Sequence, residues 1–471
     1  MRVENLIKVT AEIGRVVFNS SYPSDKILSD FFRQKKQIGS KERKFASNTI
    51  YFVLRNYLFL KSASNYINNI LKFDLSNDFE HLIYIGIFYS HNFPEFFSDY
   101  DAASLISKIE SSLDINLLLN NHFGISAEII FIELKNYLKK LNEEIKNLSF
   151  ELTDELTTII EQRYSFPKFF LDKIYSTFTS KKELLAFLEN SKMQAPIFLR
   201  VNTLKSTADK VLETLKKEQI DAYISTSTNN AIILQQRIQL SELEIFKSGD
   251  VEVQDEGSQI ISYVLDPQEN ESILDACAGA GGKSLHIANL MKNKGLIIAN
   301  DIEFKRLKEI PKRASRCGIT SIQTHFLDLR NKRNTLLNLN KGKLFDKVLV
   351  DAPCSGAGTI RRDPLKKYRI NEKLILKLAE NQLKILEFYS NYVRENGILQ
   401  YSTCSILPEE NKEVIYKFLK LHPEFIPEDI SETLQKYKIL AGRLEEKFMF
   451  SVDFRDSNSD GFFMAKMKKV G

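Results

Sequence analysis

From about residue 251 the chain alternates short apolar runs, turn-forming residues and helical stretches, and this alternation limits the possible folds more than any other feature. The apolar runs are rich in β-branched and aliphatic residues, as is typical of strands buried on both faces of a parallel sheet. They are Ile273–Cys277, Gly295–Asp301, Thr324–Asp328, Phe345–Val350 and Gly397–Tyr401. The pattern predicts an α/β fold with a doubly wound parallel sheet, closed by a further strand at 460–467.

The region before this alternation reads differently. Residues 1–145 contain few glycines and prolines and show apolar residues at helical spacing, with Ser40 as a candidate helix cap. Residues 150–250 mix helical stretches with short apolar runs such as Pro196–Thr203. A chain of 471 residues is also too long for one core. We therefore predict three domains: an all-α domain at 1–145, a small α+β module at 150–250, and the α/β domain at 251–471.

Two of the apolar runs lead directly to a lone cysteine. Asp351 and Cys354 follow the run at 345–350, and Cys404 follows the run at 397–401. Since ligands bind beyond the carboxyl ends of strands in open α/β sheets, we expect these three side chains to meet. A role as a buried small hydrophobe suits Cys317 and Cys277 better. The sequence thus predicts a reaction centre with two thiols and a carboxylate.

A glycine-rich turn follows the first strand, at residues 275–284. Its glycines permit positive φ angles and close approach of a ligand to the backbone: Gly279, Gly281 and Gly282. The next strand ends in Asp301, whose carboxylate could accept hydrogen bonds from both hydroxyls of a ribose. Asp328 ends the third strand, where it could meet an adenine edge.

Two other nucleotide sites compete for this turn. A phosphate-binding P-loop fails on spacing, because it needs a glycine at position 277, where this chain has Cys277. An NAD site is possible at this turn, but it would not explain Cys354 and Cys404. The turn, the two aspartates and the two thiols together favour S-adenosylmethionine.

Methylation of cytosine at carbon 5 needs such a centre, because that carbon is a poor nucleophile. A thiolate that adds to carbon 6 turns the ring into an enamine, and this splits one hard step into easier ones. A carboxylic acid can assist by protonating nitrogen 3. Asp351, Cys354 and Cys404 supply the required groups, although the residues alone do not decide which cysteine attacks.

The segments Asp351–Arg362, Tyr401–Asn411 and Asp460–Phe463 resemble motifs of the RNA cytosine-5 methyltransferases of the RsmB/Nop/Sun family. The resemblance covers roughly residues 160–470, and the first third is similar to the NusB-like helical domain of the RsmB branch. It implies a class I methyltransferase fold, Cys404 as the nucleophile, and Cys354 as the residue that assists release. The implied cofactor-binding residues are Cys277, Ala278, Gly279, Ala280, Gly281, Gly282, Lys283, Asp301, Asp328 and Asp351. DNA enzymes use the other cysteine, which here would be Cys354.

The net charge of +5 is too small to indicate a nucleic-acid partner by itself. A basic cluster beside the reaction centre is more informative, and we expect it to contact RNA phosphates: Arg361, Arg362, Lys366 and Lys367. A second basic run at 305–316, which includes Arg313 and Arg316, is expected to be a solvated helix face.

Four cysteines without a Cys-x-x-Cys pair and six histidines argue against a metal site, and the chain start lacks an apolar signal segment. We therefore expect a monomeric cytoplasmic protein without a metal or a membrane segment. The predicted function is methylation of cytosine in RNA, with small-subunit ribosomal RNA as the implied substrate. The alternatives are the same chemistry on transfer RNA, or a non-catalytic RNA-binding assembly factor.

Overall fold

The computed structural model describes residues 1–71, 78–93, 100–228, 230–236, 238–327 and 335–470. The chain divides into two compact units. Unit 1 comprises Met1–Gln194 and Ile360–Ile370, and unit 2 comprises Ala195–Thr359 and Asn371–Gly471. This division differs from the three domains expected from the sequence, because the helices between 154 and 192 pack on earlier helices of unit 1.

Unit 1 is helical. Its first part contains α1 (Val3–Asn19), α2 (Ser24–Gln34), α3 (Ser40–Arg55), α4 (Tyr57–Leu71), α5 (Phe79–Asn92), α6 (Ala102–Ser107), α7 (Ile115–Phe123), α8 (Ala127–Asn147), α9 (Asp154–Tyr164), α10 (Lys168–Ile174) and α11 (Lys181–Lys192). The start of α3 shows a local signal: Glu42 accepts a hydrogen bond from the Gly39 N–H at 2.6 Å, so Gly39 and not Ser40 occupies the cap position. No single helix in the described ranges is long and apolar enough to span a membrane, although α7 and α8, bent by 85°, pass that test as a pair.

Unit 2 begins with a small antiparallel sheet in the order β2-β3-β1-β4. Its elements are β1 (Ile197–Val201), α12 (Ala208–Lys217), β2 (Ala222–Ile224), β3 (Ala231–Leu234), α13 (Glu244–Lys247) and β4 (Val251–Val253). Helix α12 buries Ala208, Val211 and Leu215 in the same core as the apolar residues of the strands, which fixes it on one face of the sheet.

The large sheet of unit 2 has the order β11-β12-β13-β9-β8-β5-β6-β7, with β10 paired to β13. Its strands are β5 (Ser272–Asp275), β6 (Leu296–Asp301), β7 (Ile322–Phe326), β8 (Phe345–Asp351), β9 (Val393–Thr403), β10 (Phe425–Pro427), β11 (Arg443–Glu446), β12 (Met449–Val452) and β13 (Phe462–Lys469). The helices after β4 are α14 (Glu256–Leu265), α15 (Gly282–Leu290), α16 (Phe304–Leu307), α17 (Glu309–Cys317), α18 (Thr335–Leu339), α19 (Lys366–Arg369), α20 (Glu372–Ser390), α21 (Lys412–Leu421) and α22 (Ser431–Lys436).

Strands β5 to β9 are parallel, as the sequence predicts, and both faces of the sheet are covered. Successive residues of one strand enter opposite cores: Leu274 packs in a core with residues of α20 and α21, whereas Ile273 packs in a core with residues of α14 and α15. The doubly wound prediction is therefore confirmed. The antiparallel pair β11–β12 was not predicted, because β12 buries four residues in succession and shows no strand alternation.

The segment Ile360–Ile370, which contains α19, lies between β8 and α20 in sequence but belongs to unit 1. Its contacts reach back across 203 to 339 residues of sequence. Lys367 Nζ donates to the Arg55 carbonyl at 2.8 Å, and the Tyr368 hydroxyl lies 3.0 Å from both the Leu54 carbonyl and Ser165 Oγ. The Ser24 hydroxyl donates to Asp363 Oδ1 at 2.9 Å.

Candidate active site

The two cysteines meet because their strands are parallel neighbours in register. Asp351, the last residue of β8, pairs with Ser402 near the end of β9. The chain then turns on each strand, and the sulfur atoms of Cys354 and Cys404 lie 3.3 Å apart. Both side chains are partly exposed, so the pair is open to a substrate.

The two thiols are in hydrogen-bonding contact, and either sulfur can be the donor. The hydrogen bond to Cys404 and burial raise the pKa of the Cys354 thiol well above its ordinary value. When Cys354 is the donor, its hydrogen bond stabilises negative charge on the Cys404 sulfur.

Asp351 joins the cysteine loops to the glycine turn. Lys283 Nζ, at the start of α15, donates to Asp351 Oδ2 at 2.5 Å, and the Ser402 hydroxyl lies 3.1 Å from Oδ1. Burial alone would lower the pKa of Lys283, whereas the facing carboxylate of Asp351 raises it above the ordinary value. Lys283 thus stays a charged ammonium group, held beside Asp351 by an ion pair.

The glycine turn has the features needed to hold a nucleoside. Gly279 and Gly281 have φ angles of +56° and +82°, which few residues other than glycine adopt. A Cβ atom at Gly279 would meet nothing within 4 Å, so space lies open beside the turn. Asp301 accepts from the N–H groups of Gly279 and Glu303, both at 2.7 Å, and each carboxylate oxygen keeps a second lone pair. A ribose diol fits these remaining acceptor sites.

Two arginines hold the carbonyl groups of the same turn, the buried Arg200 and the partly exposed Arg313. Arg313 Nη1 donates to the Ala280 carbonyl at 2.6 Å, and Arg200 Nη1 donates to the Gly282 carbonyl at 2.7 Å. Burial lowers the pKa of Arg200 to about 10. Arg313 and Arg316 both pair with the buried Glu252 on β4. The expectation of a solvated face is therefore wrong for Arg313 and Arg316, which point inward to an acidic partner distant in sequence.

The acid beneath the turn is perturbed as well. Asp275 is fully buried at the end of β5, where it accepts a hydrogen bond from the Ser284 hydroxyl at 2.6 Å. Burial raises the pKa of Asp275 to about 7. Burial also raises the pKa of Cys277 well above its ordinary value, so this cysteine is a neutral thiol.

Comparisons with known proteins identify the family. Residues 262–468 match the model of a family described as 16S rRNA methyltransferase RsmB/F, and residues 166–241 match an RsmF/B-like ferredoxin-like domain. A probable ribosomal RNA small subunit methyltransferase B of Coxiella burnetii is 30% identical over 76% of this chain and 80% of its own length. The chain belongs to the RsmB/F methyltransferase family.

Two further comparisons extend this result. A mouse protein named 28S rRNA (cytosine-C(5))-methyltransferase is 33% identical over 65% of this chain, and the match spans 39% of the mouse protein's length. The crystal structure of a methyltransferase homologue from Pyrococcus horikoshii is 26% identical, with a TM-score of 0.55 over 68% of this chain and all of that chain. The RsmB/F chain therefore has a class I methyltransferase fold, as predicted.

Sequence reasoning missed one residue that joins both cysteine loops. Glu410 is fully buried and accepts from the Ser355 N–H at 2.8 Å and the Ser355 hydroxyl at 2.5 Å. It also accepts from the Ser405 hydroxyl at 2.6 Å and from Gln382 Nε2 at 2.9 Å. The only sequence signal for Glu410 was its position in Tyr401–Asn411, a segment that resembles a motif of the family.

Not all of the predicted site residues of this RsmB/F chain come together. Asp328 lies outside the described residues. Arg361 and Lys367 belong to unit 1 and are only 1% and 4% exposed, and burial lowers the pKa of Lys367 well below its ordinary value. The expectation that Arg361 and Lys367 contact RNA phosphates is therefore wrong, since a buried side chain cannot reach a phosphate. Within the described ranges, no group of three or more His, Cys, Asp or Glu side chains could hold a metal ion.

Proposed function

We propose that this protein uses S-adenosylmethionine to methylate carbon 5 of a cytosine in RNA, with small-subunit ribosomal RNA as the substrate. The observation that carries the proposal is the pair of sulfur atoms 3.3 Å apart, beside a glycine turn with an aspartate suited to a ribose. The family assignment supports methyl transfer, and the two thiols support carbon 5 as the site, because that carbon needs a covalent catalyst.

The cofactor residues lie in unit 2. The backbone from Cys277 to Lys283 lines the turn, Asp301 would accept the ribose hydroxyls, and Asp351 with Lys283 closes the side toward the thiols. When bound, S-adenosylmethionine supplies an electrophilic methyl group. The arginines on the Ala280 and Gly282 carbonyls keep the turn in the conformation that this ligand would meet.

The reaction begins at Cys404. Its sulfur, as the thiolate, forms a bond to carbon 6 of the cytosine, and the displaced electron pair of the ring is stabilised when nitrogen 3 takes a proton from the Asp351–Lys283 pair. After carbon 5 has gained the methyl group, it loses its proton to a water molecule acting as base, and the electron pair of that C–H bond restores the C5–C6 double bond. The bond from carbon 6 to Cys404 breaks and returns its electrons to sulfur, and nitrogen 3 returns its proton to the Asp351–Lys283 pair. Cys354, which lies against Cys404, is placed to assist this release.

The RNA must present an unpaired or flipped cytosine, since the thiol cannot reach carbon 6 inside a stack. Arg362 and Lys366 remain as proposed phosphate contacts, because both are partly exposed in the segment that follows the Cys354 loop. With ribosomal RNA as the substrate, the proposed location of the protein is the cytoplasm.

The proposal is tested by bisulfite sequencing of RNA from a deletion strain, with the wild-type gene and a Cys404→Ala gene as complements. We expect one small-subunit ribosomal cytosine to lose its methyl group in the deletion strain and to regain it only with the wild-type gene. If the methyl group were lost from a transfer RNA cytosine instead, the substrate would be transfer RNA. Full methylation in the deletion strain would refute the proposal, and restoration by Cys404→Ala would show a non-catalytic role.

A further inference from the structure

A buried carboxylate ties the loops that carry the two cysteines. Glu410 lies six residues after Cys404 on the same loop, and it reaches across to Ser355, the residue after Cys354. Both cysteines are followed by serine, and both serine hydroxyls donate to the same atom, Glu410 Oε2. The two loops thus share one acceptor.

The two serines are themselves fixed by their own loops. Ser355 Oγ accepts from the Ala357 N–H, and Ser405 Oγ accepts from the Leu407 N–H, both at 3.2 Å. Each hydroxyl therefore has its proton directed at Glu410. Because each of these bonds is one residue from a sulfur, the position of Glu410 controls where the sulfurs lie relative to each other.

The partners of Glu410 are all neutral. The donors are one backbone N–H, two hydroxyls and one amide N–H, and none of these four contacts comes from a cation. The Glu410 carboxylate also lies close enough to Cys354 to disfavour negative charge on that sulfur, in agreement with the raised pKa of the Cys354 thiol.

We propose that Glu410 is a positioning residue for the methyl-transfer reaction, which holds the Cys354 loop against the Cys404 loop so that the Cys354 sulfur stays within reach of the Cys404 sulfur. This inference rests on the proposed function for its catalytic consequence, but not for its geometry. Other contacts also join the loops: the Gly358 N–H donates to the Cys404 carbonyl at 3.0 Å, and the Ser355 and Ser405 hydroxyl oxygens lie 3.4 Å apart. Loss of Glu410 therefore loosens the pair without separating the loops completely.

The geometry is tested without RNA, by the rate at which diamide oxidises Cys354 and Cys404 to a disulfide. In this reaction two thiols lose two electrons and two protons, and diamide takes them up to become the hydrazine. Thiols held together react faster than loosely held ones, so we expect Glu410→Ala to slow the cross-link about tenfold. Glu410→Gln should slow the cross-link less. An amide nitrogen in place of Oε2 leaves the two serine hydroxyls without an acceptor, whereas the amide oxygen in place of Oε1 still accepts from the Ser355 N–H and from Gln382.

The matched control is Glu413→Gln, which removes an exposed carboxylate three residues away that pairs with Lys417. It should cross-link at the wild-type rate. S-adenosylmethionine affinity, measured by calorimetry, should be equal in all variants and shows that each is folded. If Glu410→Ala unfolds, Glu410→Gln and Ser355→Ala carry the test. Cross-linking at the wild-type rate in a folded Glu410 variant overturns the proposal.

The catalytic consequence is measured separately. With RNA, Glu410→Gln should lower kcat about tenfold with little change in KM, and it should leave more protein–RNA adduct on a denaturing gel than the wild type. A change in KM alone would contradict a positioning role. If the wild type methylates no RNA, the proposed function fails, while the cross-linking result still decides whether Glu410 holds the two sulfurs together.

Discussion

The glycine turn and the cysteine loops lie at the same edge of one sheet, but opposite kinds of side chain hold them. Around the turn, Arg200 and Arg313 donate to backbone carbonyls. Around the loops, Glu410 accepts from an N–H group and hydroxyls. The glycine turn is therefore held by positively charged side chains that donate to carbonyl groups. The cysteine loops are held by a carboxylate that accepts from N–H and O–H groups.

This difference shows how one edge can serve two tasks. At the turn, Asp301 keeps acceptor sites for the ribose of the proposed cofactor. Negative charge at the loops keeps the Cys354 thiol protonated beside its partner. We therefore expect the two regions to fail separately: changes at the turn should affect cofactor affinity, and changes at the loops should affect thiol chemistry.

The largest expected effect comes from the cysteines themselves. Cys404→Ala should lower methylation by roughly 10⁴-fold or more, because the covalent route is lost, while S-adenosylmethionine affinity stays unchanged. Cys354→Ala should still form the bond to carbon 6 but release it slowly, and so leave a protein–RNA adduct on a denaturing gel. An adduct from Cys404→Ala and none from Cys354→Ala would reverse the two roles.

The second prediction concerns the buried acid under the turn. The pKa of Asp275 is raised from 3.8 to about 7, so its contribution to stability is fully present below pH 4 and is lost as the pH rises through 7. Asparagine can still accept from Ser284 but cannot ionise. Between pH 4 and 8, the free energy of unfolding of Asp275→Asn should rise relative to wild type by at most roughly 4 kcal/mol. Urea denaturation curves that shift in parallel for both proteins would contradict this pKa.

Asp301 tests the cofactor side. Asp301→Ala should weaken S-adenosylmethionine binding about ten- to a hundredfold, because the ribose hydroxyls lose a charged acceptor. Diamide cross-linking of Cys354 to Cys404 should proceed at the wild-type rate. Unchanged affinity in calorimetry would remove Asp301 from the site, and slower cross-linking would show that the two regions are not independent.

A smaller effect is expected at the arginine that holds the turn. Arg313→Met removes the bond to the Ala280 carbonyl but leaves Arg316 to pair with Glu252. We expect S-adenosylmethionine affinity to fall about fivefold, in line with one indirect hydrogen bond of about 1 kcal/mol. If this variant lost thiol cross-linking but kept its S-adenosylmethionine affinity, Arg313 would act on the cysteine loops and not on the turn, contrary to the comparison.

The smallest effect separates two adjacent lysines. Lys366→Met should reduce the salt dependence of RNA binding by about one unit of slope, as expected for a lost phosphate contact. Lys367→Met should leave the slope unchanged and alter thermal stability, because that side chain is buried on Arg55. A reduced slope in Lys367→Met would return it to the RNA-binding surface.

The sequence predicted what depends on local pattern. The β-branched runs gave the parallel strands, and parallel neighbours with polar ends placed Asp351, Cys354 and Cys404 at one edge. Contacts between distant residues were beyond the same reasoning. The ties of Glu410 to Ser355 and of Arg200 to Gly282 depend on folded geometry. A basic run also looks the same in sequence whether it is solvated or buried, so Arg361, Lys367 and Arg313 could not be distinguished from surface cations.

The segment Ile360–Ile370 has a consequence for synthesis on the ribosome. Helices α1 to α11 leave the ribosome long before the segment 360–370, which supplies Lys367 and Tyr368 to them. Residues 195–359 must be translated in between. At about 5–20 residues per second, this interval is roughly 10–30 s. During that time the buried carbonyl of Arg55 lacks its lysine donor. A nascent chain stalled before residue 360 should therefore be more sensitive to protease in α3 and α4 than one stalled well after residue 370.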